Sequence, residues 1–348
     1  MRILSSKQVS EEFKHIIGKK PILMKKLVEA GISVPQYFVI SNELFENISN
    51  SPTFESKQVL KIKFPDKIID EIYKSYVKLG YDPERVRSAF DLLKSNREPT
   101  VAVRCVDSNV YLDTYTNIKG KEELIKAIRL VWASRFNNQA EQYWKTHEKE
   151  PNAIVVQKMV LSEKGIVVHS ENPGQLIIRA FWGQTGFLRH LNPDAYKVNE
   201  STEEVISRET GQQKSLYMLD PAQDTFAKKE LPTEAIGTAV LNDEEITKVT
   251  RLMKKIRGIL GHVSVEMSLS NGVLSVVNVK DNVVDTPYAN SYDEKPMDID
   301  DFIGLNLDEK GYPEQSNVDK IIDKYISINP ALKDVFELLR RDLKEVQK

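Results

Sequence analysis

The chain has 348 residues, 41% of them apolar and 29% charged, with 49 basic side chains against 51 acidic ones for a net charge of −2. That much apolar material in a chain of this length supports two domains or more and excludes a disordered one, while the balance of charge leaves no global field to attract nucleic acid or an anionic membrane. No run of about 18 apolar residues is available to span a bilayer and MRILSSKQVSEEFK has no apolar signal core, so the expectation is a cytoplasmic protein.

Pro21 and Gly31 bracket a short helix over residues 21–30, and a strand is expected around 36–40. Residues 66–95 read as helices broken near 80–83, and TVAVR at 100–104 as a short buried strand. The next residue, Cys105, is the only cysteine, which excludes an internal disulfide and a cysteine-based zinc site. His15, His147, His169, His190 and His262 are too scattered for a metal motif. From 121 to 148, Leu124, Ile128, Val131, Trp132, Phe136, Ala140 and Tyr143 recur at helical spacing, which predicts one long helix with a single buried stripe. Three strand-like runs, AIVVQKMV, GIVVH and QLIIRAF, follow between 153 and 181. Asn242 with Glu245 three residues on is a capping box, and the helix it opens runs to Gly261. Residues 282–317 are acidic and turn-rich, a linker, and polar helices are expected over 318–327 and 330–346.

The stretch 257–281, RGILGHVSVEMSLSNGVLSVVNVKD, reads as a helix end running into a β-hairpin, and its register matters because a one-residue shift moves every side chain to the other face. With Asn271-Gly272 as a two-residue turn, Ser270 pairs with Val273 and Glu266 faces away from Asn278. A three-residue loop, Ser270-Asn271-Gly272, pairs Leu269 with Val273 and sets Glu266, Asn278 and Lys280 on one face; this is the register expected. A carboxylate and an amide oxygen suit Mg²⁺, and an ammonium suits the phosphates around it. A solvated hairpin face with ordinary surface polars is the other reading of the same spacing.

Six segments, taken in order over about residues 10–281, resemble the N-terminal ATP-grasp nucleotide-binding domain of phosphoenolpyruvate synthase and pyruvate phosphate dikinase. GKKPILMKKLVEAGISVPQYFVI resembles that family's opening, with Lys20 on its phosphate-contacting lysine. VAVR places Arg104 on its phosphate-clamping arginine, and DTYTNI followed by GKEELIKAIRLVWAS resembles the stretch after it. IVVQKMV matches the adenine-hinge strand, with Gln157, Met159 and Val160 flanking the base. Trp182-Gly183 and Pro193-Asp194 with Tyr196 sit where the family has WGLGE and PDxYxV. Glu266 falls on the glutamate of its DIEW, and Asn278 and Lys280 on the glutamine and arginine of its LQxRP.

The resemblance implies a two-lobed α/β (α+β) ATP-grasp fold with a C-terminal helical extension. Its lobes would be 1–150 and 151–285, with linker and helices over 286–348. It also implies ATP and Mg²⁺ as cofactors, Lys20, Arg104 and Lys280 as catalytic side chains, Gln157, Met159, Val160, Lys20 and Arg104 around the nucleotide, and Glu266 and Asn278 on the metal. The expected activity is phosphoryl transfer from ATP to a histidine or small acceptor on a separate partner, since no segment resembles the family's swivelling phospho-histidine domain or pyruvate-binding barrel. Several departures favour the alternative, a catalytically degenerate nucleotide sensor or scaffold. Only CVDSNVYLD separates Arg104 from Thr114, where the family has a longer glycine-containing loop, and Lys19 and Ser264 replace a glycine and an aspartate. Asn278 is one methylene shorter than glutamine, and Lys280 offers a point charge in place of a bidentate fork. The basic run Lys14, Lys19, Lys20, Lys25 and Lys26 leaves open contact with a nucleic-acid or ribonucleoprotein backbone beside the plainer reading of a solvated face.

Overall fold

Runs of β-branched and aromatic residues collect into two antiparallel sheets, described in a computed structural model covering residues 2–49, 59, 60, 62–80, 98–106, 114–136, 151–172, 174–185, 191–220 and 225–281. All of these belong to one compact unit, Met1–Val284. The helices expected over 81–95, 137–148, 318–327 and 330–346, and the linker from 282, lie outside the described residues.

The first half of the unit contains β1 Ile3–Ser5, α1 Lys14–Ile17, α2 Lys19–Glu29, β2 Tyr37–Ile40, α3 Glu43–Ser49, α4 Asp66–Gly80, β3 Val101–Cys105, β4 Thr114–Ile118, α5 Lys121–Ser134 and β5 Ile154–Lys158. Its sheet has the order β1-β2-β5-β3-β4, so the central strand comes from beyond residue 150. Alternation along the strands divides the side chains between two cores. Phe38, Ile40, Val101, Val103, Ile154 and Val156 pack with Ile72 and Tyr76 of α4 and Leu124, Ile128 and Trp132 of α5. Tyr37, Val39 and Val155 pack on the other face with Ile17, Ile22 and Met24. Arg104 stands opposite Val155, and Ala102 opposite Gln157, so these three polar and small positions share that second face.

The long helix expected from 121 ends at Ser134. Arg135 and Phe136 bond back three residues, to Trp132 and Ala133, which tightens the last turn and closes the α-helix although the apolar spacing runs on.

The second sheet has the order β13-β12-β6-β7-β8-β9, formed by β6 Lys164–Asn172, β7 Gln175–Trp182, β8 Asp194–Asn199, β9 Val205–Glu209, β12 Val263–Ser270 and β13 Val273–Asp281. A separate ribbon pairs β10 Ser215–Asp220 with β11 Thr225–Glu230. Ile166, Val168, Ile178, Val265 and Met267 line one face of the large sheet and receive Ile246, Val249, Met253 and Ile256 of α6, Asp243–Leu260. Full burial of each such side chain stabilises by about 2 kcal/mol. The capping box at Asn242 and Glu245 is present, and Gly261 ends the helix with φ of 80°. Glu245 also holds Lys164 of β6 through both carboxylate oxygens, at 2.7 and 2.8 Å, which fixes the helix start to the sheet.

The hairpin departs from the expected register and still reaches the expected face. Ser270 pairs with Val273 and Leu269 with Leu274, so Asn271-Gly272 is a two-residue turn, with φ of 49° and 74°. Positive φ at both central positions gives a twist that matches the flanking strands, and Asn-Gly is the pair that adopts it most readily. A β-bulge between Glu266 and Met267 then leaves Val277 as the extra residue: Met267 pairs with Val276 and Glu266 with Asn278. One inserted residue undoes the one-residue shift of the turn, and Glu266, Asn278 and Lys280 share a face.

Candidate functional site

Lys20 lies in the first turn of α2, just after Gly18, whose φ of 70° separates α1 from α2. Only 4% exposed, its Nζ donates to the carbonyl oxygen of Cys105 at 3.2 Å, which ties the helix to the end of β3 beside Arg104. Burial first, and then the neighbouring charges of Arg104 and Lys280, push the Lys20 ammonium down to about 8. Arg104 is 7% exposed and its pKa is also lowered by burial, with Glu266 opposing; its Nε has no hydrogen-bond partner among the described residues.

Glu266 supplies the opposite charge from the second sheet. Burial favours its neutral form, but Lys280, Arg104, a hydrogen bond from Asn278 and Lys20 together hold it below the usual carboxylate range. Lys280 Nζ lies 3.6 Å from Glu266 Oε1, and Asn278 Nδ2 donates to the same oxygen at 3.2 Å. The Asn278 amide oxygen is buried without a hydrogen-bond partner among the described residues. Cations from the first sheet and α2 therefore meet the carboxylate of the hairpin.

Arg104, Gln157, Met159, Val160 and Glu266 all line one narrow cleft. The Gln157 amide nitrogen is buried and unpartnered among the described residues, while Met159 sulfur accepts from the backbone amide of Asn117 at 3.2 Å. Lys20, Asn278 and Lys280 do not line the cleft; they act on it through the charges of Arg104 and Glu266. Two other lysines of the basic run are engaged elsewhere. Lys25 donates to the Val9 carbonyl at 2.7 Å, and Lys26 pairs with Glu11 at 2.9 Å.

The chain matches the family described as pyruvate phosphate dikinase, AMP/ATP-binding domain, over residues 14–278. It belongs to that family. Among similar proteins, an uncharacterized phosphotransferase of Bacillus subtilis is 28% identical over 280 residues, covering 75% of this chain and 33% of its own length. A probable phosphoenolpyruvate synthase of Methanocaldococcus jannaschii is 26% identical over 294 residues, covering 72% of this chain and 23% of its own. The chain thus spans about a third or less of these two relatives. The D-alanine–D-alanine ligase of Bacillus anthracis overlays with a TM-score of 0.32 at 12% identity, over 76% of this chain and 56% of that one.

Within this pyruvate phosphate dikinase AMP/ATP-binding domain, the observed fold is a mixed one of helices and antiparallel sheets, in keeping with the α/β (α+β) ATP-grasp fold that the resemblance implied; the C-terminal helical extension lies outside the described residues. Not every motif residue sits at the cleft. Trp182 packs beside the second core with the Lys164 ammonium 5.2 Å from its ring centroid. Asp194 and Tyr196 form a buried latch: Asp194 accepts from the Gly211 and Val240 amides, each at 2.7 Å, and from the Tyr196 hydroxyl at 2.6 Å, while that hydroxyl accepts from the Leu241 amide at 3.1 Å. These residues hold the strand β8 to the entry of α6. One cleft residue had no signal in the sequence: Gln184, in the turn after β7, lines the cleft beside Val160. Among the described residues no three of His, Cys, Asp and Glu gather as a metal cluster, and no helix is long and apolar enough to cross a membrane.

Proposed function

We propose that the domain binds ATP between its two sheets and passes a phosphoryl group to a histidine or small acceptor supplied from outside residues 14–278. The observation that carries this reading is a set of unmet polar atoms: Arg104 Nε and Gln157 Nε2, on residues that line the cleft, and Asn278 Oδ1, on the residue that bonds the cleft's Glu266, are buried and without hydrogen-bond partners among the described residues. A buried polar group left unpaired is costly, so two of them in the cleft wall and a third beside its carboxylate, with cations next to them, support a polar, anionic occupant. The adenine would lie against Gln157, Met159 and Val160, and the phosphates would meet Lys20, Arg104 and Lys280. The donor set fits Mg²⁺, because Glu266 offers a carboxylate next to the unpartnered Asn278 amide oxygen and the ion takes its remaining ligands from water and phosphate. When bound, Mg²⁺ neutralises charge on the phosphates. Lys20, Arg104 and Lys280 neutralise the rest, and phosphoryl transfer asks little more of the protein than such positioning and charge stabilisation.

A second reading, a nucleotide sensor or scaffold without catalysis, has its own support. The Glu266 carboxylate is already engaged by Asn278 and Lys280, so a metal has to compete with two protein groups. Two measurements test and separate the readings. Thermal unfolding is followed with ATP, ADP and AMP, with and without Mg²⁺; an ATP-dependent rise supports a nucleotide site, and no rise with any of them removes both nucleotide readings. Attack of the acceptor on the β-phosphorus breaks its bond to the α-phosphate oxygen, so AMP leaves and the β- and γ-phosphates pass to the acceptor, from which water releases the γ-phosphate. AMP formation from ATP, abolished in Glu266→Gln, supports the enzyme; ATP binding with no AMP formed in the presence of the relatives' acceptor domains supports the sensor.

A further inference from the structure

The side chain of Gln184 bridges two backbone groups of the segment that follows β5. Its Nε2 donates to the Val160 carbonyl at 2.7 Å, and its Oε1 accepts from the Ser162 amide at 3.1 Å. The two backbone groups are two residues apart and directly follow the strand that ends in Gln157 and Lys158. A primary carboxamide presents a donor nitrogen and an acceptor oxygen on one carbon. The Watson–Crick edge of adenine presents the same pair, the N6 amine and N1, on adjacent positions of one ring. Gln184 is 2% exposed and lines the same cleft as Arg104, Gln157 and Val160.

We infer that Gln184 is a built-in stand-in for the base, a plug that fills the adenine subsite and is displaced when an adenine nucleotide binds. The inference rests on the nucleotide-site reading above and adds a device to it. Displacement is a side-chain rotation, because the backbone that carries Gln184 is fixed. The Gly183 amide donates to the Glu163 carbonyl at 2.8 Å, and the Gln184 amide donates to the Tyr217 carbonyl of β10 at 2.7 Å. At Gly183, with φ of 96°, a Cβ would stand 2.7 Å from that Tyr217 oxygen, so the ribbon seats directly on the turn. The plug also sets specificity. A base that offers donor and acceptor in the adenine order replaces both hydrogen bonds, whereas hypoxanthine, with a carbonyl at position 6 and a protonated N1, leaves Val160 and Ser162 facing like groups. Buried backbone groups left unpaired in this way reject the wrong ligand strongly.

The test follows the side-chain amide protons of Gln184 and the Ser162 amide by NMR in the wild-type chain, with Mg²⁺ and either ATP or tripolyphosphate, and measures ATP and ITP affinity in wild type and Gln184→Met. ATP is expected to release the Gln184 amide protons to solvent-like shifts and tripolyphosphate to leave them unmoved. Gln184→Met is expected to lose stability yet bind ATP about tenfold more tightly, because the ligand no longer competes with a pair of hydrogen bonds. An amide with only a structural role would lower both. ATP that binds while the Gln184 signals stay unmoved, or binds no more tightly to Gln184→Met, overturns the plug and leaves the nucleotide site standing. No binding of ATP or tripolyphosphate to either protein overturns the site and the plug together. If Gln184→Met does not fold, the wild-type spectra decide.

Discussion

Lys20 is the residue whose environment says most about the site. Its ammonium is buried next to two other cations and holds its proton only up to about pH 8, against 10.5 for an ordinary lysine. Between those values the unfolded chain binds the proton and the native one does not, so the cost of burying this charge is full below pH 8 and is relieved as pH rises toward 10.5. Lys20→Met is expected to raise stability at pH 7 by on the order of 2 kcal/mol, to flatten the pH dependence of urea unfolding between pH 8 and 10.5, and to weaken ATP binding. A variant less stable at every pH would mean that the bond to Cys105 outweighs the repulsion. In wild type, a polyphosphate bound beside Lys20, as proposed, would restore the lysine's charge, so isothermal titration above pH 8 is expected to show proton uptake from buffer on ATP binding. Asp194 makes the opposite kind of contribution. It accepts three hydrogen bonds in the core, so Asp194→Asn turns one accepting oxygen into a donor facing donors, and should cost about 3 kcal/mol, read as a lower urea midpoint at unchanged slope.

At the scale of the element, the start of α6 joins two functions in one side chain. Glu245 closes the capping box on Asn242 and at the same time holds Lys164. Asn242→Ala should therefore cost about 1 kcal/mol, as a lost cap does, whereas Glu245→Ala should cost more because the partly buried Lys164 loses its partner; melting temperatures of the two variants check the order. This helix was fully legible in the sequence because its signals are local: a cap, a 3.6-residue stripe and a terminal glycine. The hairpin was legible only in its outcome. Asn271-Gly272 announces the tight turn, but the bulge at Val277 comes from competition between two buried faces, with Val276 and Val279 drawn into the core and Asn278 toward Glu266, and no local pattern encodes it. The end of α5 at Ser134 failed for the converse reason, since the periodic apolar stripe continued past the last helical hydrogen bond. Among the candidate residues, Lys20, Arg104 and Glu266 were named from motif order, and the fold brings their charges together; the contact of Gln184 with Val160 was not legible, because it depends on the chain after β7 meeting the chain after β5, and a lone glutamine after Trp-Gly carries no pattern.

For the whole molecule, α2 is the member that joins the two sheets. Its Ile22 and Met24 pack in the core of the first sheet, and its Leu27 in the core of the second. The loop after it continues the join: the Ser33 carbonyl accepts from the Val276 amide at 2.8 Å, and the Ser33 and Ser275 hydroxyls lie 2.8 Å apart. Binding energy applied at either sheet is thus shared by both. ATP with Mg²⁺ is expected to slow hydrogen exchange in β3, β5, β12 and β13 together, and at 100 times the dissociation constant to add about 2.7 kcal/mol to unfolding in a single transition. Protection confined to one sheet would show that the ligand touches that sheet alone.

Because Lys20 rides on the same rod that wedges Leu27 beneath the hairpin, one helix sets the spacing between the positive cluster and the hairpin carboxylate. A shift of that rod would move the cations against the carboxylate, so the packing of a single leucine governs how far apart the opposite charges stand.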